Sequence, residues 1–162
     1  MILQKYVISQ LTLFLIPSKI IPSKSVGDEL MKITTKSQYG LKMMCFLASH
    51  VGEGAIPLTA IAREISSSEK YCEQILLSLR KADLVKATRG AQGGYYVENP
   101  EQISVGAILR TLEEDLVIVD CLSESNNCPN KCNCQTHVVW DKLYQEINGF
   151  LDKMSLTSII KK

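Results

Sequence analysis

The chain has 162 residues, of which 46% are apolar and 22% charged. That is enough apolar material for one core of ordinary size, and it excludes a disordered chain. The net charge of +1 hides an asymmetry: residues 31–100 carry nine Lys and Arg against six Asp and Glu, whereas residues 101–162 carry six against nine. A basic first half suits contact with nucleic acid.

Residues 1–30 differ from the rest of the chain. They are rich in Ile, Leu, Val and Phe, but the longest unbroken apolar run, Leu13–Ile16, is far too short to span a bilayer. No small-residue cleavage site follows an adequate apolar centre, so a secretory signal does not fit. Met31-Lys32-Ile33-Thr34-Thr35-Lys36 reads as the natural opening of a cytosolic protein. Residues 1–30 are therefore expected to be a dispensable or non-native extension, with a membrane-associating segment as the alternative.

From there the elements follow in order. Thr34 or Thr35 can cap a helix beginning near Lys36, with Tyr39, Met43, Phe46, Leu47 and Val51 on one apolar face, and Gly52-Glu53-Gly54 ends it. Pro57-Leu58-Thr59 opens a short second helix over Ala60–Glu64, with Ile61 and Ile65 inward. Ser66-Ser67-Ser68 forms a turn, and Ser66 with Glu69 fits a capping box for a third helix to about Ala82. Two helices joined by a tight polar turn make a helix-turn-helix. Leu84–Thr88 and Tyr95–Val97 then read as strands around a glycine-rich turn, Arg89–Gly94. A phosphate-cradling loop would need a helix after its glycines. A strand follows instead, so the hairpin is a wing. Ser104 caps a helix over Val105–Glu114.

Next come Cys121, Cys128, Cys132, Cys134 and His137, five soft or borderline donors within seventeen residues. Asn126, Asn127, Pro129, Asn130 and Asn133 break regular structure between them. Thiolates this dense point to a metal ion or an iron–sulfur cluster. Two disulfides would require an oxidising compartment. A four-cysteine zinc site is the nearer rival, although no Cys-x-x-Cys pair is present to bite one tetrahedral ion. Cys45 and Cys72 lie in apolar helical patterns and read as small core residues. After His137, the apolar residues Trp140, Leu143, Tyr144, Ile147, Leu151 and Met154 recur at helical spacing, a face most cheaply buried against a second copy of the chain. No nucleophile and base occur in a recognisable context, so an enzyme is not expected.

The expected architecture is mainly α with a small β-wing: a winged helix-turn-helix domain (31–100), a linker helix with the cysteine loop (101–136), and a long C-terminal dimerisation helix with its tail (137–162). The sequence resembles the Rrf-two family of bacterial winged-helix regulators, and within it the iron–sulfur cluster regulator (IscR) branch. The resemblance is carried by Thr34–Leu41, Tyr71-Cys72-Glu73-Gln74 with Leu79-Arg80-Lys81, Arg89-Gly90-x-x-Gly93-Gly94-Tyr95, and Cys134-x-x-His137-x-x-Trp140. It implies a cytoplasmic homodimer that binds a double-stranded DNA operator as a repressor, under control of a 2Fe–2S cluster.

By position, the resemblance makes Lys70, Tyr71, Glu73 and Gln74 groove-facing, with Arg89 reaching the minor groove or a phosphate. It makes Cys121, Cys128, Cys134 and His137 the cluster ligands. Cys132 is supernumerary and can substitute for a neighbour. In the nitric-oxide-sensing branch a carboxylate near the amino terminus is a ligand, and the matching residue here, Gln38, is a poor one. The alternatives are a thiol-redox or partner-controlled regulator of cysteine metabolism without a cluster, as in the CymR branch, and a zinc-stabilised interaction module.

Overall fold

The computed structural model describes residues 33–90, 93–113, 116–123, 128 and 131–160, without the side chain of Cys132. Among these, the chain forms helices α1 (Thr35–Ser49), α2 (Leu58–Ile65) and α3 (Glu69–Lys81), strands β1 (Lys86–Thr88) and β2 (Gly94–Tyr96), then helices α4 (Val105–Leu112), α5 (His137–Lys153) and α6 (Leu156–Ile160). The expected mainly helical fold with a small wing is what is found. The expected extension over residues 1–30 lies outside the described residues.

Thr34 begins α1 as expected, its hydroxyl accepting from the Ser37 N–H. The face that α1 buries is broader than the expected one. Met43 and Leu47 are buried, but so are Ser37, Gly40, Met44 and Ala48. Tyr39 and Phe46 pack only half-buried against the core, and Val51 is exposed beyond the helix end. The core is built from Met43, Met44, Leu47, Ile61, Ile75, Leu76, Leu79 and Ile108, closed by Leu112 and Leu156. Gly40 is what allows α4 to join it. A Cβ at position 40 would stand 2.1 Å from Leu112 Cδ1 and 3.3 Å from Ile75 Cγ2, well inside van der Waals contact.

The serine turn differs in detail from the expectation. Ser68, rather than Ser66, caps α3, its hydroxyl accepting from the Tyr71 N–H. Ser66 terminates α2 in a left-handed conformation (φ 56°), so it is occupied in ending one helix and cannot begin the next. In the wing, β1 and β2 pair antiparallel, with Lys86 opposite Tyr96 and Thr88 opposite Gly94. Ile56 extends this ladder by one residue through reciprocal 2.9 Å hydrogen bonds with Tyr95. The approach is so close that a Cβ on Gly94 would sit 2.3 Å from the Ile56 carbonyl oxygen.

The end of the chain returns to the winged domain. The Val105 N–H donates to the Met154 carbonyl (2.9 Å) and the Leu156 N–H to that of Ile103 (2.8 Å), and Leu156 is fully buried in the core. Glu113, just after α4, accepts from both the N–H and the hydroxyl of Thr34, each at 2.9 Å. Burial pushes its carboxyl pKa up. The Ser37 hydroxyl, the two Thr34 donors and the charge of Lys36 outweigh that and hold it below the ordinary 4.5. The Ser37 hydroxyl acts here by proximity, since it makes no hydrogen bond of good geometry among the described residues.

Gly40→Ala is expected to destabilise the protein by about 1–3 kcal/mol through overpacking against Leu112, measured as a lower urea midpoint. Because the folded pKa of Glu113 is depressed, its contribution is fully present above the unfolded value and is lost as the pH falls through the folded one. Urea midpoints taken between about pH 6 and pH 3 should therefore fall less steeply in Glu113→Gln than in the parent. At neutral pH that variant should be weaker by about 1 kcal/mol.

Candidate nucleic-acid interface and cysteine loop

Helix α3 divides its residues cleanly. Cys72, Ile75, Leu76 and Leu79 are buried, which turns Lys70, Glu73 and Gln74 outward onto one exposed face at three- and four-residue spacing. Three of the four residues expected to face a groove are thus brought together. The fourth, Tyr71, is half-buried. Its ring meets that of Tyr39 edge-on, with centroids 5.9 Å apart and planes at 78°, a favoured aromatic geometry. The Lys42 ammonium lies over the Tyr39 ring, 5.7 Å from its centroid. The sequence reading missed this arrangement, because it treated Tyr39 only as a core residue.

Arg89 is exposed at the end of β1. Gly90 follows with φ 111°, and its carbonyl accepts from the Gly93 N–H at 2.9 Å. A Cβ on Gly93 would stand 2.7 Å from the Thr88 carbonyl oxygen, so this tight wing turn requires both glycines. Ala91 and Gln92 lie outside the described residues. Lys86, also on the wing, is paired with Asp83, which raises its pKa.

In the cysteine loop, Cys121 sits in a short 3-10 turn, Asp120–Leu122, and Cys128, Cys134 and Cys121 are all half-buried free thiols. Cys134 Sγ is 3.2 Å from the Thr136 hydroxyl. That contact, with the N–H groups of Thr136 and His137, holds the thiol below its ordinary 9.0. The Cys134 carbonyl accepts from the His137 N–H at 3.2 Å, which fixes the backbone between the two residues where α5 begins. His137 Nδ1 is buried and has no hydrogen-bond partner among the described residues. A buried polar atom left in this way needs an explanation, and an absent ligand is one. Among the described residues, no three Cys, His, Asp or Glu side chains are close enough together to hold a metal ion. The supernumerary Cys132 has its side chain outside them, as have residues 124–127, 129 and 130. By donor chemistry, three available thiols and one unpaired imidazole nitrogen fit an iron–sulfur cluster. Cys72 is fully buried and Cys45 half-buried, and burial raises both thiols, as befits packing residues.

Helix α5 has no fully buried residue. Leu151 and Met154 pack within the chain on Val105, Leu109 and Leu116. Arg110 fixes the same end, donating to Asn148 Oδ1 at 3.0 Å and pairing with Asp152. The apolar face expected for a second copy is thereby divided. Trp140 and Leu143 stay exposed and are joined by Phe150, which is 62% exposed. With half-buried Ile147 they form a stripe at positions 140, 143, 147 and 150, the three-four alternation of a coiled-coil face.

The family model of Rrf2, described as an iron-dependent transcriptional regulator, matches residues 33–162. This chain belongs to the Rrf2 family. Within the family it is 35% identical to the HTH-type transcriptional regulator IscR of Aliivibrio salmonicida, over 80% of this chain and 77% of that protein. Among solved structures it resembles T. potens IscR, with a TM-score of 0.63 and 40% identity over 80% of this chain and 86% of that one. It also resembles CymR, the global cysteine regulator of B. subtilis, with a TM-score of 0.65 and 35% identity over 81% and 97%. These matches bear out the resemblance to the Rrf-two family and its IscR branch, and the winged-helix fold. Its relatives are named as transcriptional regulators rather than enzymes. No helix among the described residues is long and apolar enough to cross a membrane.

In this Rrf2 protein the first turn of α3 depends on its cap. Ser68→Ala should cost about 1 kcal/mol of stability, with amide hydrogen exchange rising first at Lys70 and Tyr71. An unchanged exchange rate there would mean that the cap does not hold the turn.

Proposed function

We propose that this Rrf2 protein is a cytoplasmic, homodimeric DNA-binding repressor whose affinity for its operator is set by a 2Fe–2S cluster held by Cys121, Cys128, Cys134 and His137. The observation that carries this reading is the buried Nδ1 of His137, which has no hydrogen-bond partner among the described residues and lies three residues after Cys134 in the sequence. Bound there, a cluster supplies reversible one-electron chemistry, and a histidine ligand raises its potential relative to a fourth thiolate. The rest belongs to the protein. Thr136 and the first N–H groups of α5 favour the Cys134 thiolate, the form that ligates. His137 must be neutral to bind, which couples occupancy to pH. The loop joins α4 to α5, so ligands drawn from along it tie the start of α5 to the winged domain. The stripe Trp140, Leu143, Ile147 and Phe150 serves as the dimer face that sets the spacing of two half-sites.

On DNA, Gln74 has the geometry for a bidentate contact with adenine, and Glu73 can accept from the cytosine amino group. Lys70 supplies positive charge beside them. Tyr71 adds an aromatic edge at the start of the helix. Arg89 on the wing meets a phosphate or a narrow minor groove.

A second reading is supported by the likeness to CymR: a regulator of cysteine metabolism that works through its thiols or a protein partner, without a cluster. Anaerobic purification with iron and sulfide analysis separates the two. The cluster reading expects a coloured dimer with two irons and two sulfides per chain. It expects Cys134→Ala to lose the visible absorbance while remaining folded, and Cys132→Ala to keep it. Titration of operator DNA at matched salt should then give different affinities for the holo and cluster-free forms. A colourless, iron-free protein that still binds DNA in a thiol-dependent way would establish the second reading instead.

A further inference from the structure

One cation of the winged domain has no counterpart in these assignments. Lys42 is exposed in the middle of α1, and the helix Thr35–Ser49 contains no Asp or Glu, so nothing on its own element neutralises it. Among the described residues its ammonium makes no ion pair. It stands over the Tyr39 ring at 5.7 Å. That ring is itself held edge-on by Tyr71, which lies in the first turn of α3 next to exposed Lys70. A carboxylate partner would both hold and cancel the charge. An aromatic face holds it without cancelling it, because the attraction is to the ring quadrupole. The ammonium is thus restrained on the flank of the recognition helix with its full charge available to an anion from outside. Restraint also matters for affinity, since a free lysine loses rotamer entropy on binding and a preplaced one loses less.

We propose that Tyr39 and Lys42 form an α1-borne arm of the nucleic-acid interface, in which Tyr39 positions the ammonium beside the first turn of α3 and Lys42 engages a backbone phosphate flanking the bases that α3 reads. Tyr39 is a positioning residue here and Lys42 the contact. The proposal rests on the assignment of α3 as the DNA-reading helix. A contact of this kind carries no sequence information. It adds to every duplex alike and declares itself through salt dependence.

The test uses the full-length protein and two duplexes: one selected by the parent protein from a randomised pool, and one of unselected random sequence. Affinities are measured by fluorescence anisotropy over a range of salt. Lys42→Gln, an exposed substitution, should leave the melting temperature unchanged and weaken both duplexes by about three- to tenfold at low salt. The slope of log affinity on log salt should become shallower by about 0.9 for each phosphate no longer engaged, so by nearly two in a dimer. Tyr39→Phe, which keeps an aromatic face, should behave as the parent, whereas Tyr39→Leu should lose most of what Lys42→Gln loses. An unchanged salt slope in Lys42→Gln, with Lys70→Gln and Arg89→Ala each reducing it, overturns the arm and leaves the α3 assignment standing. If none of the three substitutions alters binding, the α3 assignment fails and the arm fails with it.

Discussion

Because Gly40 has no side chain, Leu112 can occupy space that a methyl group on α1 would fill. Helix α4 therefore seats its Leu112 side chain directly against the α1 backbone, and it uses both of its faces. Ile108 and Leu112 complete the core beneath α3. Val105 and Leu109 form a second, smaller cluster with Leu116, against which Leu151 and Met154 of the chain's last third rest. An eight-residue helix with apolar contacts on two sides has few positions to spare, and interiors packed at this density do not deform gradually. Helix α4 is thus the joint through which the winged domain and the long helix are held in one arrangement.

Polar contacts bracket that joint. On one side Glu113 ties the end of α4 to the start of α1 through Thr34. On the other, Arg110 reaches Asn148 and Asp152 on α5. Surface pairs of this kind contribute little stability singly. Their effect is directional: they fix the rotation of α4 about its own axis, which apolar contacts alone specify loosely. The cysteine loop begins immediately beyond this bracket. Rearrangement there acts on a segment whose upstream end is already anchored.

Local signals in the sequence located most of the fold. Thr34 and Ser104 are good helix caps and serve as such. Paired strands around glycines marked the wing, and a polar turn between two apolar helical patterns marked the helix-turn-helix. The features that escaped the reading depend on partners distant in sequence. Ser66 and Ser68 have the same chemistry, and only the left-handed backbone at the end of α2 decides which of them caps α3. Gly40 and Ala48 carry no hydrophobic weight in a periodicity argument, yet they are buried because other helices press on them. Leu151 and Met154 were assigned to the face that also bears Trp140, but the return of the chain end draws them inward and leaves Phe150 outside. The cysteines were read as a candidate donor set from type and spacing alone. The unpaired nitrogen of His137 and the packing of Tyr71 against Tyr39 were not, since both are properties of the folded chain.

Leu156 has a further consequence, for the order of events during synthesis. It is wholly buried in the core with residues of α1 and α4, and the backbone beside it pairs with residues 103–105. A chain emerging from the ribosome can form the first three helices and the hairpin from local contacts, which close quickly. It cannot seal that core until about sixty further residues have been translated. During that interval a partly open apolar surface and the nascent cysteine loop are exposed together. The thiols of the loop are then accessible before the last helix docks, so whatever reacts with them meets a chain whose core is not yet closed.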